Sequence, residues 1–231
     1  MLILAAGCDD DPVDPVPETA TMMDIDSNVY QTVKIGGKWW MAEDLRVTHY
    51  RDGSPIPLVQ DINDTKTWNN MGACCTYNSK ADVNGLLYNF LAVEDGRMLA
   101  PTGWHIPSDE EWQELEEALG MSSSASKKSG WRGDDEGDAL KKVGLKYWVR
   151  FGDVWPTNES GFSGEAGGCR MFNNRWSEPL GLQYMGFWWT SSPEGSQHAW
   201  YRHLDYKRSD VFRATGPRTY GFSVRCVKDV N

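Results

Sequence analysis

The stretch Ala100-Pro101-Thr102-Gly103-Trp104-His105-Ile106-Pro107-Ser108-Asp109-Glu110-Glu111-Trp112 decides how the rest of the chain is read. Ser108, with Glu111 three residues on, forms a capping box in which each side chain satisfies the other end's free backbone amide. Trp112, Leu115 and Leu119 then fall on one side, and Gly120 ends the run. A helix over 108–119 follows, with one apolar stripe that has to lie against a sheet.

Working towards the N-terminus, Val83, Leu86, Leu87, Phe90, Leu91 and Val93 recur at three- and four-residue intervals and predict a first main helix over 83–94. Earlier still, Val29, Gln31, Val33, Lys34 and Ile35 lead through Gly36-Gly37 to Lys38-Trp39-Trp40-Met41, the pattern of a hairpin closed by the glycine pair. On the C-terminal side a Ser- and Gly-rich stretch over 122–137 precedes a short helix at 138–143. Three closing strands are expected at 186–192, 198–206 and 220–228. In the last, Tyr220, Phe222, Val224 and Cys226 alternate with Gly221, Ser223, Arg225 and Val227, as in a half-buried antiparallel strand. No repeat of 20–50 residues is visible, so the reading is one α+β domain over 24–231.

The first eight residues, Met-Leu-Ile-Leu-Ala-Ala-Gly-Cys, resemble the end of a bacterial lipoprotein signal, with Cys8 as the lipid-bearing residue. No basic segment precedes them, as expected if the gene start has been placed too late. Residues 9–23 open Asp9-Asp10-Asp11-Pro12 and continue rich in acid and proline, which favours an extended tether. An acidic cluster directly after the cysteine also resembles the signal that sends lipoproteins of Bacteroidetes-type bacteria to the outer face of the outer membrane.

With 33 acidic against 23 basic residues the net charge is -10, the wrong sign for a chain that neutralises phosphates, so nucleic acid is excluded as a partner. No run of eighteen apolar residues occurs, so membrane attachment is expected through the lipid alone. Beyond Cys8 the cysteines are Cys74, Cys75, Cys169 and Cys226. Neighbours on a strand point to opposite faces, so Cys74 and Cys75 are expected to seek Cys169 and Cys226 in one of two pairings.

Five phrases occur in order: Trp39-Trp40-Met41-Ala42-Glu43-Asp44-Leu45, Gly85-Leu86-Leu87-Tyr88-Asn89, the opening stretch at 100–112, Asn158-Glu159-Ser160-Gly161-Phe162, and Tyr220-Gly221-Phe222-Ser223-Val224-Arg225-Cys226-Val227. Together they resemble the Fibrobacter succinogenes major paralogous domain. That resemblance implies a C-type-lectin-like fold, shared with formylglycine-generating enzymes, with two main helices packed on small twisted antiparallel sheets among long irregular loops. It also implies disulfides Cys75–Cys226 and Cys74–Cys169, and a secreted or surface lipoprotein.

The chemistry expected is binding without catalysis, with no cofactor. The superfamily's calcium-and-sugar triplets are absent. The acids Asp134, Asp135, Glu136 and Asp138 lack the spacing of a calcium loop, and no metal site is expected. A reactive C-terminal cysteine pair of the formylglycine-generating kind is missing. His49, His105, His198 and His203 have no helical ligand spacing, and His105 is read as part of the turn before the helix. The candidate ligand-binding residues are Arg170, Asn173, Asn174, Arg175, Trp176 and Tyr184, because aromatic faces stack on sugar C–H surfaces while Asn and Arg supply planar donors. Trp188, Trp189 and Trp200 are read as core. The expected partner is a glycan or a surface protein; the alternative readings are an accessory subunit of an outer-membrane or surface complex, and an enzyme.

Overall fold

The computed structural model of the protein describes residues 17–61, 63–76, 85–171 and 180–229. It is a mixed α+β structure in which sheet outweighs helix.

The first sheet has the order β1 (Thr19–Met23), β2 (Val29–Ile35), β3 (Lys38–Met41), β13 (Val227–Asp229). The expected hairpin is there, turning through Gly36 and Gly37 at φ of 58° and 81°, a backbone region that suits glycine. β1 lies inside the stretch expected to be tether, so the sheet begins five residues earlier than Asp24. Asp24 locks the β1–β2 turn: its carboxylate accepts from the amides of Asp26 and Asn28, the Asn28 side chain and the Tyr30 hydroxyl.

The second sheet is small, with β4 (Cys74–Cys75) and β12 (Gly221–Phe222) on either side of β5 (Leu87–Asn89). β5 takes the middle of the predicted helix over 83–94; among the described residues of that stretch only α2 (Phe90–Val93) is helical. The reason is burial on both faces. Tyr88 points into the main core while Leu87 joins Val59, Trp68, Ala73 and Cys75 on the other side, so apolar residues run continuously and imitate helical spacing. Asn89 fixes the switch from strand to helix. Its Oδ1 accepts from the Ala92 amide, as a helix cap does, and from the Ala73 amide, while its Nδ2 donates to Trp68 O and Met71 O. α1 (Thr65–Asn70) holds Trp68 against this sheet.

The third sheet comprises β6 (Gly130–Arg132), β7 (Gly167–Cys169), β8 (Leu180–Leu182), β9 (Met185–Glu194), β10 (His198–Asp205) and β11 (Val211–Pro217), in the order β6-β11-β10-β9-β7-β8. Two of the three closing strands expected from sequence are β9 and β10. The third is corrected: 220–228 divides into β12 and β13, which belong to different sheets, and residues 221–227 between and within them are all buried.

α3 (Asp109–Ala118) is the expected capped helix, with the reciprocal Ser108–Glu111 bonds in place. It is the single long helix among the described residues; α4 (Ser123–Ser126) and α5 (Glu136–Leu140) are short. The arrangement of two main helices is therefore corrected to one. Trp112 packs edge-on to Trp40 at 5.4 Å and Phe162 at 5.5 Å, and lies 6.5 Å from Trp188, centroid to centroid. Trp188 and Trp189 are fully buried, as expected, but Trp200 is half-buried beneath the Arg213 guanidinium, 3.7 Å away.

Two buried ionic knots join these layers. In one, Arg225 donates through Nε to Asp44 Oδ1 (2.7 Å), through Nη1 to Met41 O and Phe162 O, and through Nη2 to Ser163 O; Trp188 Nε1 donates to the same Asp44 oxygen (2.9 Å). In the other, Arg202, Arg213 and Arg132 surround Asp109 and Glu116 of α3 at 2.5–2.9 Å. Burial works against the Asp109 carboxylate, but the Arg213 bonds and the Arg202 charge outweigh it and hold Asp109 below the usual range. Burial also pulls Arg132 down to about 10 despite Glu116 beside it.

The disulfide expectation is overturned. Cys74, Cys75, Cys169 and Cys226 are all buried and no disulfide joins them. Cys74 and Cys75 do face opposite sides, the main core and the small cluster respectively, yet Cys226 shares the main core with Cys74 and Cys169, on the far side of the strand from Cys75. Burial lifts the Cys74 thiol to about 12 and raises Cys226 further, which suits apolar packing and not nucleophilic chemistry.

Candidate ligand-binding surface

Of the residues expected to bind ligand, Asn173, Asn174, Arg175 and Trp176 lie outside the described residues. Arg170 is corrected. It is buried, donates to Val59 O and Asp61 O, and stacks 4.0 Å above the Trp68 ring, so it ties the third sheet to the small cluster. Cys169 pairs with Leu180 and Gly167 with Leu182. Arg170 and Tyr184 therefore leave opposite ends of the β7–β8 pair, and the structure does not bring them together.

Tyr184 itself is 45% exposed, and it has company that the sequence did not reveal. Its ring stands edge-on to Tyr206 at 5.0 Å, and Tyr206 in turn meets Phe151, 47% exposed, at 5.6 Å. Lys207 Nζ sits 5.1 Å from the Tyr206 ring and 5.3 Å from that of Phe151. Three distant pieces of chain are brought together by backbone bonds: Val149 N–H to Gln183 O, Tyr206 N–H to Tyr184 O, and Tyr184 N–H to Gly181 O. Gln183 adopts φ of 66° to make this corner, an uncommon conformation for a residue with a side chain, and its amide nitrogen donates to Lys146 O. The result is two exposed rings, Tyr184 and Phe151, flanking half-buried Tyr206 on a hydrogen-bonded frame.

The four histidines have distinct surroundings. His105 Nε2 meets Glu111 at 2.8 Å, and Glu111 also caps α3 and pairs with Lys38. His49 Nδ1 meets Asp26 at 2.6 Å. His198 is exposed at the start of β10. His203 is buried, stacked on Phe187 at 4.2 Å, and burial depresses it to about 4. The unfolded chain, with an ordinary histidine near 6.5, takes up a proton first as pH falls. Stability from His203 is thus complete above about pH 6.5 and is lost down to about pH 4, amounting to about 3 kcal/mol. Melting scans across that window are expected to show the loss, and His203→Gln to flatten it; an unchanged slope would show that His203 is not buried neutral.

In the acidic group at 134–138, Glu136 and Asp138 are buried and committed to the fold, while Asp134 and Asp135 are exposed. Glu136 accepts from the Asp134 amide, and Asp138 accepts from buried Lys141 at 2.9 Å. Two clefts of about 220 and 360 Å³ flank Arg51. The Arg51 guanidinium between them is occupied by the carbonyls of Ala100, Pro101 and Trp104, so it serves as a wall that ties the 98–104 turn to the first sheet's flank.

Among the described residues no helix is long and apolar enough to cross a membrane. No curated protein and no solved structure matches the chain. The family model described as the Fibrobacter succinogenes major domain matches residues 33–228, which spans every motif from Trp39 to Val227 and both ionic knots. The chain belongs to the Fibrobacter succinogenes major domain family.

Proposed function

We propose that this protein is a lipoprotein held on the outer membrane through Cys8, facing the cell exterior, whose domain binds glycan without catalysing a reaction. The observation that carries the reading is the pair of exposed rings, Phe151 and Tyr184, standing on either side of half-buried Tyr206. Large rings are normally withdrawn from water, and these two are held outward by a backbone frame, offering faces to the C–H surfaces of a sugar. A C-type-lectin-like arrangement agrees with the first and last strands sharing one sheet and with a surface built by loops beyond the sheets. The Cys8 anchor and the acidic residues after it support the location.

Val143 and Leu145, 48% and 66% exposed in the stretch just before Tyr147, favour a second reading in which the domain docks onto an outer-membrane or surface protein as an accessory subunit. Affinity electrophoresis of the full chain against a panel of plant and microbial polysaccharides separates the two. Binding to at least one member is expected, and Tyr184→Ala is expected to weaken it about tenfold, the effect of losing about 1.4 kcal/mol of stacking. No binding across the panel, together with co-purification of a fixed membrane partner, would replace the first reading by the second.

A further inference from the structure

We infer that the ring surface selects an anionic polysaccharide, one carrying uronate carboxylates; this rests on the glycan-binding reading above. The chain as a whole carries -10, yet the segments that build this surface are basic. Residues 142–155 and 205–208 hold Lys142, Lys146, Arg150, Lys207 and Arg208 against two acids, Asp153 and Asp205. Two of these cations are already neutralised, Lys142 by Glu165 at 2.6 Å and Arg208 by Asp210 at 2.7 Å.

Lys146, Arg150 and Lys207 make no ion pair among the described residues, and each is placed against an aromatic ring instead. Lys207 Nζ is 5.1 Å from Tyr206, Lys146 Nζ 5.5 Å from Tyr147, and the Arg150 guanidinium 5.5 Å from Trp155. The carboxylate two residues before Lys207, that of Asp205, accepts from the Lys207 backbone amide at 2.8 Å and forms no ion pair with the ammonium. At physiological salt the screening length is about 8 Å. An acidic sugar stacked on exposed Phe151 therefore feels Lys207, 5.3 Å from that ring, and is shielded from the net charge of the remaining surface. A hexuronate unit matches this arrangement, with an apolar C–H face for the ring and a carboxylate at its edge for the cation. A neutral sugar would use the rings and leave the cations idle.

The probe is polygalacturonate, compared with its fully methyl-esterified form and with neutral galactan, titrated onto the full chain. Polygalacturonate is expected to bind at least tenfold more tightly than either, with an affinity that falls steeply between 50 and 300 mM salt, as for any contact that releases counterions. The double variant Arg150→Gln, Lys207→Gln is expected to lose tenfold or more for polygalacturonate, whereas Lys128→Gln, an exposed lysine beyond α4, is not. Equal binding of acidic and esterified polymers would overturn this inference and leave the glycan reading standing, while binding of none of the three polymers or of the wider panel would remove both. Equal binding of polygalacturonate, duplex DNA and phosphatidylglycerol vesicles would also overturn it, because charge without ring stacking would then suffice.

Discussion

Asp44→Ala is expected to cost the domain about 3–5 kcal/mol of stability, because it leaves the Arg225 guanidinium buried without a counter-charge. Arg225 and Asp44 are both out of contact with water, and one oxygen, Asp44 Oδ1, receives both the Arg225 and the Trp188 bonds. Domains of this kind are stable by about 5–15 kcal/mol in all, so the variant should unfold at far lower urea with an unchanged slope. The double variant Asp44→Leu, Arg225→Met should fall well short of the sum of the two single losses, since removing both charges also removes the cost of burying them. A single-variant loss under about 1 kcal/mol would mean that water reaches the pair.

Glu116→Ala should be nearly as damaging, again by about 3–5 kcal/mol. Glu116 accepts from Arg202 at 2.7 Å and from Arg132 at 2.5 Å, with neither partner open to solvent. Arg202 and Arg213 then share Asp109 while Arg132 keeps only the Ser126 and Val211 carbonyls, and the repulsion among the three guanidiniums is no longer offset. Because Arg132 sits on edge strand β6, the damage should be read first as faster amide exchange over 130–132, ahead of β9 and β10. Adding Arg132→Met to Glu116→Ala is expected to recover part of the loss by deleting one stranded cation. Uniform loosening of all strands would argue against a local knot.

How far the sequence could be read follows from where its signals are local. The capping box at Ser108 and the Gly36-Gly37 turn are decided by neighbouring residues, and both appear where expected. The helix over 83–94 and the unbroken strand over 220–228 were misread for a common reason: their residues are buried on every side, and period then says little about face. Arg225 shows this most clearly, a charged residue at an outward position of an alternating pattern that is nonetheless enclosed by Asp44, Phe162 and Ser163. The cysteine pairing was inferred from family habit and chain order, and the packing keeps Cys75 and Cys226 on different sides of the sheet. For the binding surface only Tyr184 was legible. Phe151 and Tyr206 join it through backbone bonds between segments more than twenty residues apart, which no spacing rule records. The motifs that disclosed the family turned out to be the fold's fastenings, and the exposed rings lie outside them.

β3 takes its last neighbour from β13, nearly two hundred residues downstream, and Asp44 waits for Arg225 across a similar interval. A ribosome or a secretion channel delivering this chain from its N-terminus therefore cannot complete the first layer until the final residues have emerged. Contacts so remote in sequence slow folding, and here they make it a late event. If the proposed export through a membrane holds, that delay is useful, because the Asp44–Arg225 knot closes only after Arg225 has been released.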